Sequence, residues 1–428
     1  MKQKVVIVGA GFAGLELANS IDGRIFEVLL LDKLNHHQFQ PLFYQVATAQ
    51  IEPSSISFPL RYVFKNKEHV QIRLAEVIKI NQEGKSITTS AGDFDYDFLV
   101  IAIGCKTNFF GNENIEKNAL TLKSTSDAIK VRNHILQTFE VIANTSWLTH
   151  KDLLNLVIVG GGPTGVELAG AFAEIKQNIL PVDYPGIDFT DFKVTLVEGS
   201  GHTLNNMSEK SKKASENYLR NMGVEILKET FVKNYDGKEL SLSNGKTIRT
   251  KSVIWAAGVT GNALEGIQQD CKTVGNRIKV DRTNSLIGCN GIYAIGDISY
   301  METEKYPRGH PQIANVAINQ AKNLAKNLKR LHAGKSALPY EYKDLGSMAT
   351  IGKNKAVVDV NSLHLSGYFA WLIWMFLHLF LILGVKNKLI IFINWAWNYL
   401  TKNPSLRLIL NQPLEKTKSL DNTIRFSN

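Results

Sequence analysis

Cysteine is scarce in this 428-residue chain: Cys105, Cys271 and Cys289 lie far apart, are odd in number and never form a C-x-x-C arrangement. Their spacing excludes a disulfide framework and a dithiol redox centre, and points to a reducing compartment. Clustered metal ligands are missing as well, so no metal site is expected. No Lys/Arg-rich run is interleaved with aromatics and no nucleic-acid fingerprint occurs, which sets nucleic acid aside as a partner despite a net charge of +10 and a pI near 9.2. An anionic membrane surface suits that charge better. There is no room for a signal or transit peptide either, because the first strand begins almost at Met1. The protein is therefore expected to stay on the side of the membrane where it is made.

The chain does carry one turn twice. Val5 to Val8 reads as a buried parallel strand, Gly9, Gly11 and Gly14 form G-x-G-x-x-G, and the apolar pattern continues as a helix to Ile21. The glycines allow a tight turn, let the backbone approach a pyrophosphate and let the helix pack on the strand, while the helix N-terminus offers free amides to phosphate. The next strand, "FEVLLLD", ends in Asp32, about as far on as a ribose-binding carboxylate requires. The second copy places Gly160, Gly162 and Gly165 after "LVIV", and its following strand "KVTLVE" ends at Glu198 beyond the insertion "NILPVDYPGIDFTDF". An acid there bonds ribose hydroxyls and repels a 2'-phosphate, so NADH is expected over NADPH.

Two such turns imply two dinucleotides on one chain, and the chemistry that needs both is hydride transfer between a nicotinamide and a flavin. The plainer alternative is a duplicated domain in which one copy has lost its ligand. A late segment, "GIYAIGDIS", brings Gly296 and Asp297 to the end of a strand, where a small residue admits a flavin and a carboxylate meets its ribityl chain. The first turn is thus the expected FAD site. At 428 residues, 44% hydrophobic and 21% charged, the chain has room for two or three domains with real cores.

The stretches "VVIVGAGFAGLELA", "HHQFQPLFYQVATAQIEPSSISFPLR", "YDFLVIAIGCKTNFFG", "VIVGGGPTGVELAGAFAE", "VIWAAGV", "GIYAIGD" and "NWAWNYLT" resemble the two-dinucleotide flavoprotein reductases, and within them the type II NADH:quinone oxidoreductases. The likeness runs along nearly the whole chain. It implies an α/β fold of two Rossmann-like domains, one inserted in the other, plus a C-terminal membrane-associated helical region. The implied division is 1–115 with 264–338 for FAD, 116–263 for NADH and 339–428 for the membrane region. FAD then rests on Gly9, Gly11, Phe12, Ala13, Gly14, Asp32, Gly104, Gly296 and Asp297, and NADH on Gly160, Gly162, Pro163, Thr164, Gly165, Glu198, Ala257 and Gly258. Such enzymes pass electrons from NADH through FAD to a membrane quinone without pumping protons, as homodimers on the inner face of the membrane.

The family's glutamate after the second turn falls on Glu167 and implies a role near nicotinamide and flavin, where quinone reduction consumes protons. Glu16 holds the same place in the first copy, so an acid favoured by the helix dipole is the competing reading. The family motif A-Q-x-A-x-Q is replaced by "ANVAIN", which puts Asn315 and Asn319 where quinone-side glutamines belong. Each is one methylene shorter, so contacts to quinone become water-bridged, rearranged or weaker. Their helix is expected to start at "HPQIA", with Pro311 in its first turn.

From Tyr368 to Val385 the chain has no formally charged residue, at the length threshold for a spanning helix. A span from the inside would leave Lys386, Lys388, Lys402, Arg407, Lys416, Lys418 and Arg425 outside, against the positive-inside tendency. Two helices lying in one leaflet, basic ends toward anionic headgroups, are the preferred reading over a span or a buried dimer core. Beyond Thr401 a polar, basic surface tail is expected. Two rival functions stay open. Cys105, just after "IAIG", suits a sulfide:quinone oxidoreductase, and Asn315 with Asn319 suits a membrane redox sensor whose quinone site is impaired.

Overall fold

The computed structural model describes residues 2–144, 151–401 and 406–409. In chain order, β1 (Gln3–Val8) enters α1 (Phe12–Ser20), followed by β2 (Phe26–Asp32), α2 (Phe43–Ala47), β3 (Val70–Leu74), β4 (Phe98–Ile101) and β5 (Cys105–Thr107). Next come β6 (Leu120–Thr121), α3 (Thr125–Asn144), β7 (Asn155–Val159), α4 (Pro163–Asn178), α5 (Leu180–Asp183), β8 (Lys193–Val197), α6 (Glu209–Asn221), β9 (Val224–Leu227), β10 (Ser252–Trp255) and β11 (Val259–Gly261). The chain then forms β12 (Ile292–Ala294), α7 (Ala314–His332), β13 (Ser347–Gly352), β14 (Lys355–Val360), β15 (Leu363–Ser366), α8 (Tyr368–Leu381) and α9 (Val385–Thr401).

Two five-stranded parallel sheets carry the molecule, in the orders β12-β4-β1-β2-β3 and β6-β10-β7-β8-β9. Their central strands read as continuous Val/Ile/Leu runs because both faces are covered, one by helices and the other by a small antiparallel sheet, residues 77–95 on the first and 232–249 on the second, so neither side needs polar residues. The order reverses beside β1 in one sheet and beside β7 in the other. A crevice opens there at the carboxyl ends of the strands, and each glycine turn sits in it. The first sheet takes its last strand, β12, from beyond the whole second sheet, so the second unit is inserted in the first. The antiparallel pair β5 and β11, with Cys105 opposite Gly261, joins the two chain crossings.

The antiparallel sheet β13-β14-β15 packs behind α4. Helix α8 is apolar on every side, yet only Ala370, Trp374 and His378 are buried, one residue per turn on a single stripe. Phe369, Phe376, Phe380, Leu389, Phe392, Ile393, Trp397 and Leu400 stay exposed across α8 and α9. A continuous apolar face of this kind marks a surface made for an apolar neighbour. At 14 residues α8 is about 21 Å long, short of the roughly 30 Å hydrocarbon core, and among the described residues no helix is long and apolar enough to cross a membrane. The apolar run breaks at Gly384, whose φ of +77° lets the chain turn before Lys386 and Lys388.

Helix α9 is bolted to the N-terminal segment. The Trp395 indole Nε1 donates to Gln45 Oε1 at 2.8 Å, and the Asn398 amide donates to the Gln50 carbonyl at 3.0 Å. Trp395 and Gln45 are both buried, so the bond has no water to replace it. Trp395→Phe keeps most of the ring packing and orphans that acceptor. A loss of about 1–3 kcal/mol in the denaturant unfolding of the flavin-loaded protein is expected, and an unchanged midpoint would show the bond to be dispensable.

Candidate functional site

The two glycine turns have nearly the same geometry. Gly9 and Gly160 take φ of +100° and +110°, and a Cβ on Gly14 or Gly165 would collide with the carbonyl of Gly9 or Gly160. At Gly11 and Gly162, the N-caps of α1 and α4, a Cβ would meet nothing within 4 Å, so space for a pyrophosphate lies against the free amides of the first turn. The acids that end β2 and follow β8 also correspond. Asp32 accepts from the amides of Ala10 at 2.6 Å and Leu34 at 2.7 Å. Glu198 accepts from the Gly161 amide and from Ser200 at 2.6 Å. Both acids are only partly buried, which leaves lone pairs for ribose hydroxyls.

Around the first turn, Ala13 is buried with its methyl against Gly296, and Phe12 packs edge-on to His37 with ring centres 5.1 Å apart. A Cβ added to Gly296 would stand 3.0 Å from that of Ala13, so a small residue is required. Gly104, at φ +63°, opens onto free space. The half-buried Asp297 carboxylate accepts no hydrogen bond from the described residues, and burial raises its pKa against the pull of Lys123 and Arg277. A carboxyl in that position fits a hydroxyl donor such as a ribityl group. The backbone beneath it is heavily fastened: the Asp297 carbonyl accepts from Arg277 Nε at 3.1 Å and Gln312 Nε2 at 3.1 Å. The first cradle thus fits FAD by its open glycine position, its ribose acid and its unengaged carboxylate.

Around the second turn, Pro163 opens α4 and Thr164 lines a small cavity of about 90 Å³. The Trp255 indole donates to the carbonyls of Asn108 and Ala257, and the exposed Phe110 ring covers Gly258. The small cavity also holds Lys123, Tyr44 and Glu167. Glu167 and Tyr44 in turn line a larger cavity of about 510 Å³ that reaches Trp371, Trp374, Trp395 and Tyr399 on α8 and α9. Burial pushes the Glu167 carboxyl well above its ordinary pKa, opposed only by the Thr350 amide. Gln45 donates to the Tyr44 hydroxyl at 2.8 Å, and among the described residues the buried Trp374 indole N–H has no acceptor.

One expectation from the sequence changes. Helix α7 begins at Ala314, not at Pro311: Ile313 is the extended N-cap, because His310 is packed among Tyr306, Tyr340 and Tyr342, and Gln312 reaches away to Cys105 and Asp297. Asn315 and Asn319 share one face of α7 but bond to each other, Nδ2 to Oδ1 at 2.7 Å, and neither lines the cavity that holds Glu167. Cys105 is half-buried, donates to the Asp297 carbonyl at 3.4 Å and is pushed up to about 11, so it stays a protonated thiol at neutral pH. Among the described residues all three cysteines are free and no group of His, Cys, Asp or Glu could hold a metal ion. The tail beyond Thr401 lies largely outside the described residues.

Three residues escaped the sequence reading. Glu174 stands two helical turns after Glu167, lines the same large cavity and is likewise raised by burial. Its seven-residue spacing on an otherwise apolar helix face was a usable signal. Gln312 and Gln320 gave none, since their partners are distant in sequence. Gln320 is fully buried, and its Oε1 accepts from the Gly296 amide at 2.7 Å and the Ser299 hydroxyl at 3.1 Å.

The sequence signature of the pyridine nucleotide-disulphide oxidoreductases matches residues 3–321, and that of the NDH2 C-terminal domain matches residues 345–402. The type II NADH:quinone oxidoreductase Ndh of Mycobacterium tuberculosis is 32% identical, the alignment covering 97% of this chain and 92% of that protein. The structure of NDH2 from Plasmodium falciparum in complex with NADH has the same fold, with a TM-score of 0.88 at 22% identity over 96% of this chain and all of that one. The sulfide:quinone oxidoreductase of Aquifex aeolicus shares the fold less closely, with a TM-score of 0.72 at 19% identity over 94% and 96% of the two chains.

Gln320→Leu removes the acceptor that holds the Gly296 amide. A loss of about 1–3 kcal/mol is expected in denaturant unfolding, together with faster release of flavin on gel filtration. Full flavin retention would show that the loop keeps its shape without Gln320.

Proposed function

Because the chain belongs to the pyridine nucleotide-disulphide oxidoreductase family and, within it, to the type II NADH:quinone oxidoreductases, we propose that its two glycine cradles, Glu167, Asn315 and Asn319 form one electron path. The enzyme takes FAD as cofactor and carries electrons from NADH to a quinone. Bound in the first cradle, the flavin supplies the two-electron chemistry that links a nicotinamide to a quinone. Gly9, Gly11, Phe12, Ala13, Gly14, Asp32, Gly104, Gly296 and Asp297 hold it, in a unit made of residues 1–115 and 264–338. Residues 116–263 bind NADH through Gly160, Gly162, Pro163, Thr164, Gly165, Glu198, Ala257 and Gly258, with Glu198 favouring NADH over NADPH. The β5–β11 junction and the late return of β12 support this division.

The observation that carries the reading is the position of Glu167 on the wall common to two cavities. One lies beside Thr164 of the NADH turn, and the other extends to the aromatic residues of α8 and α9. A carboxyl kept protonated by burial holds a proton where quinone reduction consumes one. The unengaged Trp374 N–H offers a donor to a quinone oxygen in the larger cavity; Asn315 and Asn319, which do not line it, are the quinone-side amides that their place in the motif implies. Residues 339–428 anchor the protein. Their apolar face lies in one leaflet with Lys386 and Lys388 at anionic headgroups, on the cytoplasmic face of the inner membrane, in a homodimer. The site comes to the bilayer because a long-tailed quinone does not leave it.

The Asn315–Asn319 bond favours a second reading, a membrane redox sensor with an impaired quinone site, since each amide already has a partner. Anaerobic stopped flow at the ~450 nm flavin band separates the two. Bleaching by NADH and full recovery with a short-chain quinone, each at least as fast as turnover, is the expected result. Bleaching without recovery, repaired in the Asn315→Gln/Asn319→Gln variant, would give the sensor reading. Bleaching by sulfide and not by NADH would overturn both.

The raised pKa of Glu167 also fixes a pH dependence. The folded state holds this proton more tightly than the unfolded state, so its contribution to stability is full below the ordinary glutamate value of 4.5 and is lost as pH rises. Glu167→Gln is therefore expected to gain stability over the native chain as pH rises from 5 to 8, by about 1.4 kcal/mol per unit while Glu167 stays protonated. The quinone step should slow at least tenfold in the variant, with NADH bleaching retained. A stability difference that does not change with pH would show that the carboxyl is solvated and ordinary.

A further inference from the structure

Helix α3 buries an apolar stripe of Ala128, Val131, Ile135, Phe139 and Ile142, and Arg132 sits inside that stripe. Its side chain is 3% exposed, and among the described residues neither Nε nor Nη2 has a hydrogen-bond partner. No carboxylate among them pairs with it. Arg277 shows how this fold otherwise handles a covered guanidinium, since it donates to the carbonyls of Asp297, Ser299 and His310. An arginine keeps its charge at any working pH, so Arg132 is a desolvated cation without a counter-charge among the described residues.

Arg132 lines a cavity of about 400 Å³, within the size range of small-molecule sites. One side of the cavity is apolar, formed by Ile135 and Phe139 of α3, Phe172 and Ile175 of α4 and Leu180 of α5, and polar side chains line the rest. Two carboxylates also line it, and both are engaged by lining residues other than Arg132. Glu140 accepts from the Tyr184 hydroxyl at 2.7 Å, and Asp183 pairs with Arg407 at 2.6 Å. The cavity is distinct from the one that contains Glu167, although Thr48, Ile175 and Ile179 contribute to both.

We propose that this cavity is a binding site for an amphipathic anion, with a carboxylate or phosphate head on Arg132 and an apolar chain along Ile135, Phe139 and Phe172. A planar guanidinium donates two parallel bonds to such a head, which supplies both the missing charge and the missing acceptors. A free inorganic anion would leave the apolar side of the cavity uncovered, which favours an occupant with an apolar chain. The shared chemistry has two sources, a free fatty acid and an anionic lipid of the bilayer.

The test uses the full, flavin-loaded chain in zwitterionic nanodiscs, with decanoate binding measured by calorimetry against empty discs. One decanoate per chain is expected, with decanol, which keeps the chain and lacks the charge, at least tenfold weaker. Arg132→Met should weaken decanoate at least tenfold while the ligand-free protein is no less stable, because an unpaired buried charge has been removed. Arg132→Lys should fall between the two and serves if the methionine variant does not fold. Loss of decanoate binding in discs containing phosphatidylglycerol would identify lipid as the occupant, and unchanged binding would identify a soluble acid. Equal affinity in Arg132→Met, equal affinity for decanol, or inorganic phosphate binding as tightly as decanoate would each overturn the proposal.

Discussion

At Gly170, helix α4 approaches the carbonyl of Ile351 so closely that no side chain fits between them. Much of the molecule depends on that contact. The N-terminus of α4 is the second glycine cradle, its middle carries Glu167 and Glu174, and its far side rests on β13. One rigid helix therefore ties the second glycine turn to the sheet that carries the C-terminal helices. An added methyl at Gly170 would push β13 outward and open the cavity that Thr350, Ile351 and Trp374 close. The bond from Trp395 to Gln45 secures the same cavity from its opposite wall.

The electrostatic pattern follows from this packing. Asp32, Asp297, Glu167 and Glu174 are all raised by burial, but to different purposes. Asp32 is held by backbone amides and keeps lone pairs for a ribose, so its charge is partly compensated. Asp297 lies in the field of Lys123 and Arg277, which oppose the effect of burial. Glu167 has neither cation nor second amide, and is the acid most strongly biased toward its protonated form. The same residue types are sorted between carboxylate and carboxylic acid by their surroundings. Cys105 is subject to the same burial, which keeps it from acting as the nucleophile that a sulfide chemistry would require.

The paired glycine turns, the acids at the ends of β2 and β8, the Gly296–Asp297 turn and the apolar, Trp-rich C-terminus were legible from residue types and spacing, whereas an apolar run at spanning length gave no sign that its helix would stop after 14 residues. Each legible feature is local. A glycine at positive φ, a strand two-residue period or a helical stripe constrains only its near neighbours in sequence. The start of α7 was misread because Pro311 suits a first turn locally, whereas burial of His310 among three tyrosines holds the preceding segment extended. The mutual bond of Asn315 and Asn319 was compatible with their spacing of four but not implied by it.

Sequence by itself determined that this chain carries two dinucleotide-type glycine turns, an acid at the end of the strand that follows each, and an apolar C-terminal surface, because those properties reside in contiguous motifs. Tertiary structure alone decided which cavities Glu167 lines, why Gln320 matters to Gly296, and that Arg132 has no counter-charge among the described residues. The larger cavity gathers Tyr44, Glu167, Thr350 and Trp395, residues from four separate stretches of the chain. Burial and partnership are properties of such assembled neighbourhoods. They set protonation and unmet hydrogen bonds, and no period or spacing within one segment encodes them.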